Sequence, residues 1–371
     1  MIRPLSMLAI LLAPCLVVGI GHCSTLDTYT KAEEAVKMYR KAAELGDASA
    51  QDNLGRAYYY GEGIGRNISE ALKWYRKAAE QGNADAENRL GFAYAKGEGL
   101  SRDLAESVRW IRKAALQGDA RAQYNLGYCY ESGDGIPKNI PEAIKWYRKA
   151  AEQGNADGQV NLGYAYNAGE GAPKDQSEAV KWFRKAAEQS NVYAQYYLGL
   201  AYYNGEGVSK DFTGAVKWFY KAAEQGNAAS QNQLGLAYTD GNGVPKDLAK
   251  AVKWYRKAAE KGNARAQAGL AVAYDNGEGI TQDSQEAMKW YRRAAAQGNA
   301  AAQYALGVAY DRGEDSSRDE AKAYFWMFLA AKRGPQISVD LRDTIAHKLD
   351  PATRARIEEE ASRWKPITEV K

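Results

Sequence analysis

Two histidines, His22 and His347, are all that the chain offers for acid–base work near neutral pH. His22 sits in a small-residue stretch near the N-terminus, and His347 has no cysteine within sequence reach, so neither a histidine triad nor a zinc site has the parts it needs. A recurring acidic row, Glu62, Glu98, Asp134, Glu170, Glu206 and Glu278, raises the idea of paired carboxylates. Its members are one 36-residue period or more apart, which places neighbours roughly 10 Å from each other in packed helices. Solvated loop charge, balanced by Arg66, Arg102, Lys138, Lys174, Lys210 and Lys246, is the plainer account. The loop Gly169-Glu170-Gly171 resembles a phosphate cradle only superficially, because no strand precedes it and no Gly-Lys-Ser/Thr follows. No catalytic residue, cofactor or metal ligand is expected.

Recognition is the remaining chemistry. At slots equivalent to 124, 128 and 131 the residue types vary from one period to the next. They read Tyr124, Tyr128, Glu131; then Val160, Tyr164, Asn167; then Tyr196, Leu200, Tyr203; then Asn232, Leu236, Thr239; and Tyr304, Val308, Asp311. Spacing of i, i+4, i+7 puts each trio on one helix face. Slots 124 and 131 alternate between polar and aromatic, as core positions seldom do, whereas slot 128 also suits packing against the next unit. Tyr is enriched where binding energy concentrates. Tyr124, Tyr128, Val160, Tyr164, Tyr196, Leu200, Tyr203 and Tyr304 are therefore the expected partner-binding set, with Tyr124, Tyr196 and Tyr203 mostly outside the repeat core.

The elements that must carry this stripe are set by tryptophan. Trp74, Trp110, Trp146, Trp182, Trp218, Trp254, Trp290 and Trp326 recur every 36 residues, and Met38 fills the slot one period upstream. A fixed period without insertions means one supersecondary unit, copied and stacked. Asn155 after Gly154 marks a helix start, with Asp or Asn in the same place in every unit, and helix A is expected over about 156–167. Gly163 and its equivalents sit inside that helix, where Gly costs up to about 1 kcal/mol relative to Ala, so a close helix crossing is the expected compensation. Asp175 starts helix B, whose Ala179, Val180, Trp182, Phe183, Ala186 and Ala187 form an amphipathic stripe. On its outer face Arg184 and Lys185 are expected to pair with Glu188. The fold class is all-α, a superhelical solenoid of helix–turn–helix repeats with helix A lining an inner groove.

The run from Leu162-Gly163 through Tyr166, Gly169-Glu170-Gly171, Asp175 and Ala179 to Trp182-Phe183, Ala186-Ala187 and Asn191 resembles the Sel-one-like repeat family, a branch of the tetratricopeptide-like α/α solenoids. The resemblance extends from Lys31 to about Gly334. It implies an adaptor or scaffold, often secreted or periplasmic in bacteria. Some secreted members tie each unit with a cysteine pair. This chain lacks those pairs, and Cys129 occupies a slot that is otherwise alanine, as a small buried thiol.

The ends differ from the middle. Arg3 followed by the apolar run from Leu8 to Ile20 and small residues reads as a secretory signal over 1–23. Export to the periplasm or medium follows, with membrane attachment only if that segment is retained or Cys23 is lipidated; His22 before Cys23 argues against lipidation. A half-repeat is expected over 24–40, its helix capped by Thr30 and Glu33, eight repeats over 41–328, and over 329–371 the end of the last helix and a cap of two helices, Val339 to Leu349 and Pro351 to Trp364. The formal charge of +4 is too small to argue for nucleic acid. The expected partner is a protein or peptide, recognised without catalysis. A glycan or peptidoglycan that stacks on the Tyr rings is the alternative, and a cell-wall hydrolase a more distant one.

Overall fold

The computed structural model describes residues 25–313, 318–332 and 336–367. Among them it contains nineteen helices and no strand. The apolar N-terminal run, with His22 and Cys23, lies outside the described residues. No described helix is long and apolar enough to cross a membrane.

The chain divides into two compact units, Met1–Ala194 and Gln195–Lys371. The first holds α1 (Thr25–Glu44), α2 (Ala48–Tyr60), α3 (Ile68–Glu80), α4 (Ala84–Lys96), α5 (Leu104–Leu116), α6 (Ala120–Ser132), α7 (Ile140–Glu152), α8 (Ala156–Ala168) and α9 (Gln176–Glu188). The boundary falls within α10 (Val192–Asn204). The second unit continues with α11 (Phe212–Glu224), α12 (Ala228–Asp240), α13 (Leu248–Glu260), α14 (Ala264–Asn276), α15 (Ser284–Ala296), α16 (Ala300–Arg312) and α17 (Glu320–Ala331). It ends in α18 (Gln336–Ala346) and α19 (Pro351–Arg363). Within each unit consecutive helices pack as antiparallel pairs, which makes each a helical solenoid.

Helix starts follow the Asn/Asp pattern. The Asn155 side chain accepts from the Gly158 N–H at 2.8 Å, and Asp175 accepts from Glu178 N–H at 3.0 Å. Helix B ends in a Schellman-type closure, Gly154 N–H to Ala151 O and Asn155 N–H to Ala150 O, both 3.0 Å. Two boundaries differ from expectation. Helix α1 begins at Thr25, five residues before the expected cap position. Helix α18 runs three residues earlier than expected at each end and finishes at Ala346.

Each unit's core is built from the same slots. Leu54, Leu90, Leu126 and Leu162 of unit 1, and Leu234, Leu270 and Leu306 of unit 2, are wholly buried. The helix A glycines face helix B aromatics. A Cβ on Gly127 would lie 2.7 Å from the Tyr147 ring, and one on Gly163 2.8 Å from Phe183, so the missing side chain is what lets the helices cross. Tryptophan joins one pair to the next: Trp146 of α7 packs on Val108 and Ile111 of α5 and Leu126 and Cys129 of α6. Cys129 is buried and free, and burial pushes its thiol up to about 12.

The outer face corrects the expected pairing. Lys185 does not seek Glu188; its ammonium lies over the Trp182 ring at 4.3 Å, as Lys149 lies over Trp146 at 4.1 Å. At positions equivalent to Arg184, Arg76 reaches the Tyr94 hydroxyl and Arg148 that of Tyr166, each at 2.8 Å. Ring faces and hydroxyls three residues back or one helix away compete successfully with a mobile, solvated glutamate.

A buried amide ladder was not legible as such. Gln123 of α6 donates to Ala115 O at 3.3 Å and accepts from Gln153 at 2.8 Å. Gln51, Gln159 and Gln267 occupy the same slot and make the same two bonds, donating to an alanine carbonyl and accepting from a glutamine amide. Two rungs are imperfect. Glu87 stands where the others have Gln; it accepts from Gln117 at 2.7 Å, but its carboxylate has no proton to offer Ala79 O. Burial pushes that carboxyl up. Lys261 stands where the others have a donating Gln, and its ammonium goes to Gly226 O, which leaves the buried Gln231 Oε1 without a partner. Glu87→Gln and Lys261→Gln should each add about 1 kcal/mol at neutral pH. For Glu87 the raised folded value means that its favourable protonated form persists below the unfolded carboxylate range and is lost as pH rises through the folded value. The gain from Glu87→Gln should therefore shrink on acidification, while that from Lys261→Gln should not. Denaturant unfolding at pH 4 and pH 7.5 checks both, and a loss of stability in either variant would contradict the ladder.

Candidate functional site

Side chains from the last turn of α2, the length of α4, the first half of α6 and the first turn of α8, with Tyr75 of α3 and the loop residues Arg66 and Glu98, border a hollow of about 600 Å3 in unit 1. Four repeats contribute to it because helix A slots recur on one side of the unit. Its rim carries aromatic rings: Tyr60, 44 % exposed, and Phe92, which has the Lys96 ammonium 4.5 Å above it. Its floor carries ion pairs. Asp52 is buried and holds Arg89 at 3.1 Å, although burial keeps the Asp52 carboxyl above its ordinary range. Asp85 pairs with Arg121, and Glu98 takes both the Tyr59 hydroxyl at 2.7 Å and Arg66 at 3.4 Å. Asn125 donates to Asn88 at 2.9 Å between them.

The expected Tyr stripe is only partly brought together. Tyr124 lines the hollow, but it is 9 % exposed and stacks obliquely on Tyr147 with centroids 5.8 Å apart. Val160 is 3 % exposed. Both are core residues, contrary to the expectation that slot 124 stands clear of the core; the slot lies over the helix B aromatic of its own pair. Tyr128 and Tyr164 are half-buried, and Tyr164 borders a separate small recess with Glu131 and Glu170. In unit 2, Tyr196 and Tyr203 are half-buried against Phe219, with centroids 6.2 and 6.5 Å from it, and Leu200 packs on the same cluster. Tyr304 borders an apolar hollow of about 500 Å3 with Ala268, Val272, Ala301 and Val308.

Asp85, Arg89, Arg121 and Asp157 were missed. For Asp85, Arg121 and Asp157 a signal was available: the slot one turn before 124 reads Asp85, Arg121, Asp157, Tyr193, a set as variable as the tyrosines. Chemically the hollow can bind, and it gathers no nucleophile with a base. His347 lies elsewhere, on unit 2, its Nδ1 2.6 Å from the Asp343 carbonyl. Among the described residues no three His, Cys, Asp or Glu side chains gather to hold a metal ion.

Comparison with known proteins adds the lineage. A crystal structure of c5321, a protective antigen of uropathogenic Escherichia coli strains that displays an SLR fold, is similar over 88 % of this chain and 70 % of its own, at 36 % identity and a TM-score of 0.74. The crystal structure of a Sel1 repeat protein from Oxalobacter formigenes is similar over 66 % of this chain and 96 % of its own, at 36 % identity and a TM-score of 0.60. Among curated proteins no sequence matches at a stringent threshold. The Sel1 repeat model matches residues 29–47 and then eight consecutive blocks of the 36-residue period from 48–83 to 300–335. With its tryptophan period, paired helices and repeat matches in one phase, the chain belongs to the Sel1 repeat family.

Proposed function

We propose that this chain is a non-enzymatic, exported scaffold that holds a protein partner in the hollow of unit 1. Sel1 repeat proteins are generally protein-interaction scaffolds. The observation that carries the proposal is the hollow itself: aromatic rings at its rim, closed ion pairs on its floor, and contributions from four repeats. Aromatic anchors set among polar groups are the arrangement in which a few residues supply most of a binding energy.

Tyr60→Ala with Phe92→Ala removes two rim anchors that the core does not need. Crosslinking capture from envelope extract, read by mass spectrometry, should lose the partner at least tenfold, since such anchors are each worth about 2 kcal/mol or more. Charge reversal at Lys145 and Lys181, which pair with Glu142 and Glu178 on the outer face, should leave capture unchanged. The opposite pattern would move the site to the outer basic face. A loss of glycan pull-down rather than protein capture would favour the sugar-binding alternative.

Export is supported by Arg3 and the apolar run from Leu8 to Ile20. The exported protein should have the mass of a chain cleaved near Gly21 to Cys23. A mass that includes Met1 to Ile20, or an acyl group on Cys23, would contradict cleavage without lipidation.

A further inference from the structure

The floor of the unit 1 hollow is uneven in charge. Its carboxylates Asp85 and Glu98 already hold the guanidinium groups of Arg121 and Arg66, and its Arg89 is held by the buried Asp52. The row on the first turn of successive A helices reads Asp85, Arg121, Asp157, and then Tyr193 where another cation would complete the alternation. Arg121 is taken by Asp85. Asp157 is left with a neutral partner, the Asn191 amide at 3.0 Å, and among the described residues no cation is recorded within ion-pair distance of it. It is also half-buried at the edge of the hollow, between Tyr124 and Tyr193.

A partly desolvated carboxylate without a counter-charge is a costly arrangement unless something supplies one. Burial holds the Asp157 carboxyl above its ordinary range, with only the Asn191 amide opposing. A guanidinium or ammonium entering the hollow would relieve this and could lay its apolar stem or planar head along the neighbouring rings. The Asn88–Asn125 pair, beside it on the floor, retains a donor on one amide and an acceptor on the other. Those two groups match the carbonyl and N–H of a peptide bond.

We propose that Asp157 is the anchor for a lysine or arginine side chain of an extended segment of the partner, whose backbone runs over Asn88 and Asn125. This deepens the scaffold reading and rests on it. The occupant is thus a basic polypeptide segment, and not an acidic one. The chain's own formal charge of +4 opposes general attraction of basic peptides, so affinity for one at physiological salt reports a local site.

The test uses three capped, fluorescein-labelled pentapeptides of alanine and serine around a central arginine, citrulline or glutamate, titrated by anisotropy at 0.15 M salt. Citrulline keeps the shape of arginine and removes its charge. The arginine peptide should bind at least tenfold more tightly than the citrulline peptide, and Asp157→Asn should abolish that preference. The variant should melt no lower than the wild type at neutral pH: Asp157 has a raised folded value, so its favourable protonated form is lost as pH rises, and Asn preserves the bond to Asn191. Equal binding of arginine and citrulline peptides, no binding of either, or a preference unchanged by Asp157→Asn would overturn the proposal. Tighter binding of the glutamate peptide would overturn it too and place recognition on Lys96. Partner capture separates this from the broader reading. Capture lost in the Tyr60 and Phe92 variant but intact in Asp157→Asn, with no arginine preference, would retain the hollow and remove the cationic anchor. Capture intact in both would remove the hollow itself.

Discussion

Gly135→Ala should destabilise unit 1 by about 3 kcal/mol or more, the sum of left-handed strain and overpacking. Gly135 closes the loop between α6 and α7 at φ +72°, a region that L side chains rarely adopt. Its added methyl would also be driven into the Leu104 carbonyl and the Ala105 amide at the start of α5. Backbone cannot swing aside as a side chain can, so the repeat would have to separate from its neighbour. The chain contains its own control. Gly154 also has a positive φ, but nothing lies within 4 Å of its would-be Cβ. At the equivalent position of the next repeat stands Ser190, at φ 65°. Gly154→Ser should thus cost only about 1 kcal/mol. Melting curves of the two variants should differ severalfold in their shift. Similar shifts would mean that φ alone matters and that the close approach to α5 does not.

Trp146→Ala should cost about 3–5 kcal/mol, the range for truncating a buried aromatic. Trp146 is 8 % exposed and fills the seam between its own helix pair and the preceding one. Its Nε1 is buried with no acceptor. Trp146→Phe should consequently lose only ring area and cost markedly less, because no hydrogen bond is broken. Lys149 would also lose the ring face it lies over. Coupling in a repeat array runs between neighbours, so hydrogen exchange should accelerate first in α5, α6 and α7. Uniform acceleration across unit 1, or none, would show that the tryptophan seam does not hold adjacent pairs together.

Much of this architecture could be read from residues whose role is fixed by local chemistry. Asn155 and Asp175 cap, Gly154 closes a helix, and Gly163 permits a crossing, and the same types recur in nearly every copy, with Ser190 and Ala271 the glycine exceptions. Periodicity amplified those weak signals. Slots without a local rule were harder. Tyr124 has the variability of a surface residue, yet it packs over Tyr147. Gln123 has the polarity of a surface residue, yet it is 5 % exposed; its role appears only once Gln153, thirty residues on, is known to lie beside it. The hollow's charged floor was hidden for a related reason. Asp85 and Arg121 are 36 residues apart and read as two solvated charges until the helices bring them together.

The amide ladder has a consequence for descent. Each rung reaches back eight residues to a carbonyl and forward thirty to a donor. Both reaches are measured in steps that the 36-residue period preserves. Excising or copying one period of coding sequence, starting at any codon, therefore rejoins the intact rungs to chemically equivalent mates and returns every tryptophan to a matching seat. Unequal recombination can lengthen or shorten such a gene without stranding a polar group in the interior. Lys261 and Glu87 show that drift within a copy leaves scars that are tolerated. Copy number is thus the variable that selection can change most freely, and the variable slots on helix A are then edited one copy at a time.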